Sequence, residues 1–191
     1  GAPPPGAGMP PPEVSIVTLA PQTVTLSREL PGRTVPYLVA EVRPQATGIV
    51  KERLFVEGAS VKAGQPLYQL DDSLYRAEAA SARAALARAE ATLNTATLNA
   101  KRSAELLKIE AVSKQDDENA QAARQQAQAD LASARATLDR AEINLAYAKI
   151  VSPISGRIGK SSVTPGALVT ANQEATLATV DRKSTRLNSS H

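Results

Sequence analysis

The 191-residue chain contains no cysteine, so neither a disulfide framework nor a thiolate metal site is open to it. Tryptophan is also missing, and the aromatics amount to four tyrosines and one phenylalanine. With so few rings, no bulky-ring core is expected; the anticipated object is elongated, with a small aliphatic core. Histidine occurs once, as His191 in a polar terminal run, which excludes imidazole chemistry in the interior. No apolar run approaches the ~18 residues of a bilayer-spanning helix. No basic-then-apolar signal segment stands at Gly1, so any targeting portion is expected upstream.

Charge of either sign is also in short supply. Three of the 22 basic residues, Arg182, Lys183 and Arg186, lie in that acid-free terminal run, and the other 19 match the 19 acidic residues. The basic balance is a tail effect. It gives no support for nucleic-acid binding, which needs a clustered basic face on a folded element.

What the chain has is alanine. Residues 72–149 are almost free of Gly and Pro, and within them Leu131, Leu138 and Leu145 recur every seven residues. Ala120, Ala127, Ala134, Ala141 and Ala148 recur at the same interval, offset by three or four. A Leu/Ala heptad sustained in this way predicts a coiled-coil helix. The preceding half repeats the pattern, with Leu86, Leu93, Ala100 and Leu107 on one seam line and Ala82, Ala89 and Ala96 on the other. The pattern breaks at residues 110–116, where Ser113 followed by Asp116 reads as a variant capping box starting a second helix. Two seamed helices with a tight connection fold back antiparallel, so the stretch is a helical hairpin, roughly 55 Å long at 1.5 Å per residue.

The flanks differ. Residues 1–12 are rich in proline and read as a semi-rigid, extended spacer. Residues 14–19 and 24–30 alternate apolar and polar side chains and predict two short strands, broken by Pro21 and by Pro31-Gly32. Between residues 41 and 70, Gly58, Val61, Gly64, Leu67 and Leu70 fall at three-residue intervals, as tight turns between short inward-packed strands would require. Residues 150–180 repeat this block. Pro44, Gly48, Gly58 and Val61 find counterparts in Pro153, Gly156, Gly166 and Val169. Two similar half-motifs around an insertion predict one small β-sandwich with pseudo-two-fold symmetry.

Three segments together carry a resemblance. They are Pro31-Gly32-Arg33-Thr34 leading into residues 40–50, the glycine-spaced block at 58–70, and Ser152-Pro153-Ile154-Ser155-Gly156-Arg157-Ile158-Gly159-Lys160. Over residues 13–180 the chain resembles the periplasmic adaptor (membrane fusion) subunits of resistance–nodulation–division efflux pumps, of the AcrA and MexA type. The resemblance implies an α+β fold in which a long antiparallel coiled-coil hairpin is inserted between two halves of a lipoyl-like β-sandwich. The domains then run as a Pro-rich linker (1–12), remnant strands of a β-barrel or membrane-proximal domain (13–40), lipoyl-like half one (41–71), hairpin (72–149), lipoyl-like half two (150–181) and a disordered, foreign tail (182–191).

The same resemblance implies a non-enzymatic subunit anchored at the inner membrane and standing in the periplasm of a Gram-negative bacterium. Its partners would be an inner-membrane transporter of the resistance–nodulation–division class, a TolC-type outer-membrane channel, and further copies of itself in a ring of three or six. A lipid anchor on the parent protein is compatible with this picture. Adaptors of this group carry an Arg, a Leu four residues on and a Ser seven beyond that near the hairpin tip; Arg102, Leu106 and Ser113 match that spacing and are the expected channel contacts.

Two other readings compete. A lipoyl- or biotinyl-type carrier needs an acceptor lysine at the turn between its halves, but after Leu70 the chain runs Asp71-Asp72-Ser73-Leu74-Tyr75, with no lysine before Lys101. A plain coiled-coil scaffold would pair its helices between chains, against the short connection at residues 111–113. Catalysis has little to work with. Asp71-Asp72 and Asp116-Asp117 stand at helix starts, where carboxylates favour the dipole, and no cofactor or metal is expected.

Overall fold

The computed structural model describes residues 1, 2, 6, 8, 11–27 and 38–182. The chain divides into two units, Gly1–Thr34 and Val35–His191. The terminal run from residue 183, with His191, lies outside the described residues.

In the first unit, residues 11–27 form neither strand nor helix. This corrects the strands expected at 14–19 and from Val24; the end of the second, at 28–30, and the Pro31-to-Thr34 segment lie outside the described residues. A strand's amides and carbonyls need a neighbouring strand, and no described residue of this unit supplies one. Alternation alone therefore leaves Val14, Ile16, Leu19, Val24 and Leu26 exposed.

The second unit carries, in chain order, β1 (Leu38–Val42), β2 (Gly48–Arg53), β3 (Ser60–Val61), β4 (Pro66–Leu70), α1 (Ser73–Lys108), α2 (Lys114–Tyr147), β5 (Lys149–Val151), β6 (Gly156–Ile158), β7 (Leu168–Val169) and β8 (Ala178–Arg182). β1 pairs antiparallel with β8, Leu38 opposite Arg182 and Val42 opposite Ala178. Residues 38–40 thus belong to the sandwich and not to the segment before it. Lys149 likewise opens β5, not the end of the hairpin.

The strands form two four-stranded sheets, ordered β1-β8-β6-β3 and β5-β4-β2-β7. Exchanging β1 to β4 for β5 to β8, and the reverse, converts one order into the other. That is the two-fold relation read from the repeated glycines. Gly48 and Gly156 open the equivalent strands β2 and β6. Gly58 and Gly166 take φ of 77° and 94° ahead of β3 and β7, a region where a Cβ is penalised. Each sheet draws two strands from each half, so neither half makes a sheet alone.

Between the sheets lie Val50, Leu67, Tyr68, Leu70, Ile158, Leu177, Val169 and Val180, all essentially buried. Aromatic rings are central to this core, contrary to expectation. Tyr68 meets Phe55 edge to face at 5.2 Å and 84°, a favourable quadrupole arrangement. Its hydroxyl reaches Leu177 O at 3.1 Å and Ser161 Oγ at 2.6 Å, which is how a buried tyrosine satisfies its polar end. A few well-placed rings suffice for a small core.

The Ser152-to-Gly159 run staples the halves together. Ser152 N donates to Gln65 O at 2.9 Å, its carbonyl accepts from Gly64 N at 2.8 Å, and its buried hydroxyl closes onto Ile154 O at 2.7 Å. Ser155 Oγ accepts from Ala63 N at 2.9 Å, and Arg157 Nε donates to Gly58 O at 2.7 Å. At Gly156 a Cβ would collide with the backbone carbonyl of Asp181. The motif's specificity is the geometry of a close backbone crossing.

The hairpin leaves from β4 and returns into β5. Leu70 N donates to Ala148 O at 2.8 Å and Asp71 N to Ile49 O at 2.8 Å, while Tyr75 Oη donates to Thr47 O at 2.7 Å. Alanine favours the helical state, and the expected seam is the buried line. Ala82, Ala100, Ala127, Leu138 and Ala141 are buried, and Leu86, Ala89, Leu93, Ala96, Leu131 and Ala134 half-buried. The tightest cluster, Ala79, Ala82, Leu138 and Ala141 with Leu86 and Leu145 against it, sits at the base. No helix among the described residues is long and apolar enough to cross a membrane.

Candidate functional site

The free end of the hairpin is built by two opposed caps. Helix α1 ends in a Schellman arrangement: Ala111 N donates to Leu106 O at 2.9 Å and Glu110 N to Leu107 O at 3.0 Å, with Glu110 at φ 56°. This is the left-handed residue that closes many helices, here a glutamate where glycine is usual. Helix α2 starts at Ser113, whose Oγ accepts from Asp116 N at 3.1 Å while Asp116 Oδ2 accepts from Ser113 N at 3.3 Å. The variant capping box expected from sequence is therefore complete on both sides. With the α1 cap it fixes the connection to a few residues.

The three expected contact residues sit at or within two turns of this end, and no hydrogen bond joins them. Leu106 is half-buried, its carbonyl held by Ala111. Arg102 stands one turn back, about 6 Å along the axis, and is exposed. Its Nη1 reaches Asn99 Oδ1 at a long 3.4 Å, and it enters no ion pair among the described residues. Its guanidinium is thus available to an acceptor outside the chain. The Ser113 hydroxyl is committed, since it also donates to Asp116 Oδ2 at 2.6 Å. Ser113 acts first by shaping the turn.

Sequence reasoning missed two features of this end. Ile109 is 72% exposed, a large aliphatic side chain at the tip that no periodicity flags because it lies past the last seam position. Asp117 buries one carboxylate oxygen, Oδ1, without a hydrogen-bond partner. It falls seven residues before Arg124 and fourteen before Leu131, on the leucine seam line, so heptad counting could have found a charge in that seam.

The other carboxylates do structural work. Hydrogen bonds from the Ser73 hydroxyl and amide hold the Asp71 carboxyl below its ordinary range. Asp72 is lowered in the same sense, first by the hydrogen bond from Arg76, which reaches both its oxygens at 2.8 Å. No group of three His, Cys, Asp or Glu able to hold a metal occurs among the described residues. The turn where a carrier lysine would stand is occupied, because β4 and β5 are joined through the hairpin. The helices pair within the chain, with Arg83 Nη2 on Glu142 Oε1 at 2.8 Å and Gln121 Nε2 donating to Ala100 O at 3.2 Å.

Residues 38–181 match the family described as the RND MFP barrel-sandwich hybrid domain. The chain is 50% identical over 171 residues to the multidrug resistance protein MdtE of Escherichia coli K12, covering 90% of this chain and 44% of that protein. It is 49% identical over 171 residues to the toluene efflux pump periplasmic linker protein TtgA of Pseudomonas putida, covering 90% and 41%. A solved MacA–MexA chimera containing the Pseudomonas aeruginosa MexA α-hairpin domain superposes with a TM-score of 0.54 at 31% identity, covering 78% of this chain and 49% of that one. The chain thus spans less than half the length of the curated relatives it matches.

Proposed function

The chain belongs to the RND membrane fusion proteins, and from that premise we propose that it is the hairpin-bearing part of a periplasmic adaptor, a non-enzymatic subunit joining an inner-membrane efflux transporter to a TolC-type outer-membrane channel. Several copies stand in a ring, and the duct they line carries drugs and other xenobiotics outward. In this reading residues 38–71 and 149–182 are the lipoyl-like halves, and the chain before residue 38 contributes to a β-barrel or membrane-proximal domain of the whole protein. Selectivity for the exported compound lies in the transporter.

The observation that carries the reading is the hairpin's free end. A doubly capped turn begins α2 at Ser113, and within two turns of it stand half-buried Leu106 and exposed Arg102, the latter without an ion-pair partner among the described residues. The names of the relatives, a multidrug resistance protein and a periplasmic linker of a toluene efflux pump, point the same way. The carrier alternative loses its acceptor turn to the hairpin, and the scaffold alternative loses its interchain seam to the contacts between α1 and α2.

The test is crosslinking of a Ser113→Cys protein, in its full-length form, to the outer-membrane channel. Capture that is strong in this variant, and lost on Arg102→Glu, fits the adaptor. Capture unaffected by Arg102→Glu combined with replacement of Ser113 at a neighbouring reporter position would show that the tip is assigned wrongly.

A further inference from the structure

Where the hairpin joins the sandwich, the chain leaves a cavity of about 680 Å³, within the size range of small-molecule sites. Its apolar wall comes from the last turn of α2, with Leu145 and Tyr147, and from β5, with Ile150 and Val151. β5 is the edge strand of its sheet, so no further strand among the described residues covers this side. Tyr147 and Val151 accordingly remain 41% and 42% exposed. Arg43, which also lines the cavity, follows the end of β1 where Val42 meets Ala178, the end away from Leu38 and Arg182. The cavity therefore lies at the hairpin end of the sandwich.

Four ionised side chains line it: Arg43, Asp72, Arg76 and Lys149. Glu41 answers Arg43 at 2.6 Å, and Asp72 answers Arg76 at 2.8 Å. Lys149 enters no ion pair among the described residues, which leaves one unbalanced positive charge beside an apolar wall. Arg76 commits only its Nη2 to Asp72, so among the described residues its Nε and Nη1 remain open donors. A guanidinium fork together with an ammonium suits a carboxylate. An edge lysine by itself only discourages strand pairing; this one adjoins a cavity of ligand size.

We propose that this cavity binds an amphipathic monoanion, an apolar body carrying one carboxylate. The body packs against Leu145, Tyr147, Ile150 and Val151, and the carboxylate is held by Lys149 and Arg76. Such an occupant touches the first turn of α1, the last turn of α2 and β5 at once, so it braces the root of the hairpin against the sandwich. The site does not depend on what the hairpin tip meets.

The probe is dodecanoate, kept below the concentration at which it forms micelles and titrated calorimetrically into the full-length protein. Saturable binding is expected, with dodecyltrimethylammonium weaker by at least about 10-fold, and Lys149→Glu is expected to weaken dodecanoate by about the same factor, the range of a hydrogen bond to a charged group. Lys160→Glu, outside the cavity, is expected to leave the affinity unchanged. Ala146→Phe places a ring among the lining residues and is expected to weaken dodecanoate as well, which keeps the test decisive should Lys149→Glu fail to fold. Absence of saturable binding, equal affinity for the two probes, or an affinity unmoved by Lys149→Glu and Ala146→Phe overturns the proposal. Phosphatidylglycerol vesicles offered to the same proteins distinguish a free amphiphile from a lipid headgroup: vesicle binding that depends on Lys149, without binding of free dodecanoate, also overturns it.

Discussion

Ser113 and Asp116 hold each other three ways. Backbone N–H groups donate to side-chain oxygens in both directions, and the Ser113 hydroxyl donates to Asp116 Oδ2 at 2.6 Å. The residue expected to touch a partner is thus already the keystone of the turn that presents its neighbours.

Ser113→Ala should therefore lower hairpin stability by about 1 kcal/mol, the usual value of an N-cap, and Ser113→Thr should keep most of it. Thermal unfolding followed by helical circular dichroism measures both. Equal loss in the two variants would mean that the cap is not what stabilises the turn.

The two-fold relation makes an asymmetric prediction at its glycines. A Cβ at Gly48 meets only ordinary contacts, 3.6 Å from Asp71 O and from Leu70 Cβ, whereas at Gly156 it runs into the Asp181 carbonyl. Gly156→Ala should cost about 2–3 kcal/mol through displaced backbone, and Gly48→Ala less than about 1 kcal/mol. Denaturant midpoints decide the matter; similar midpoints would show that β8 yields freely.

Acid should loosen the base of the hairpin. Asp71 and Asp72 both have lowered folded values, the first by hydrogen bonds from Ser73 and the second by Arg76. A depressed carboxyl stabilises the fold fully above its unfolded value, near pH 4, and that contribution disappears as the pH falls through the folded value. Asp71→Asn and Asp72→Asn should each flatten the acid limb of stability against pH below about 4. An unchanged acid limb in both would place the sensitive groups elsewhere.

Sequence periodicity revealed what is local. The heptad lines through Ala82, Leu86 and Ala89, and through Leu131, Ala134 and Leu138, are the lines the structure buries, because a helix repeats its own geometry. Gly48, Gly58 and Val61 with Gly156, Gly166 and Val169 marked equivalent strands, because turns demand particular residues. Pairing between distant segments left no such mark. Val14 and Ile16 alternate as Val50 does with its neighbours, yet only the latter finds strands to bond. Tyr68 and Phe55 meet across a loop of the sandwich, which composition could not show. At the tip, Arg102, Leu106 and Ser113 came from resemblance, while Ile109 and Asp117 needed coordinates.

The interleaved strand order also makes most of the sandwich's strand pairing long-range in sequence. Every pairing between β1 or β3 and their neighbours, and between β5 and β4, waits for residues on the far side of the hairpin. A flexible chain would have to find those partners across the whole intervening stretch, at an entropic cost that grows with loop length. Once α1 and α2 have zipped, residues 70 and 148 are already within hydrogen-bonding distance, and the long loop becomes kinetically short. A formed hairpin thus lowers the entropic cost of closing the sandwich it stands on.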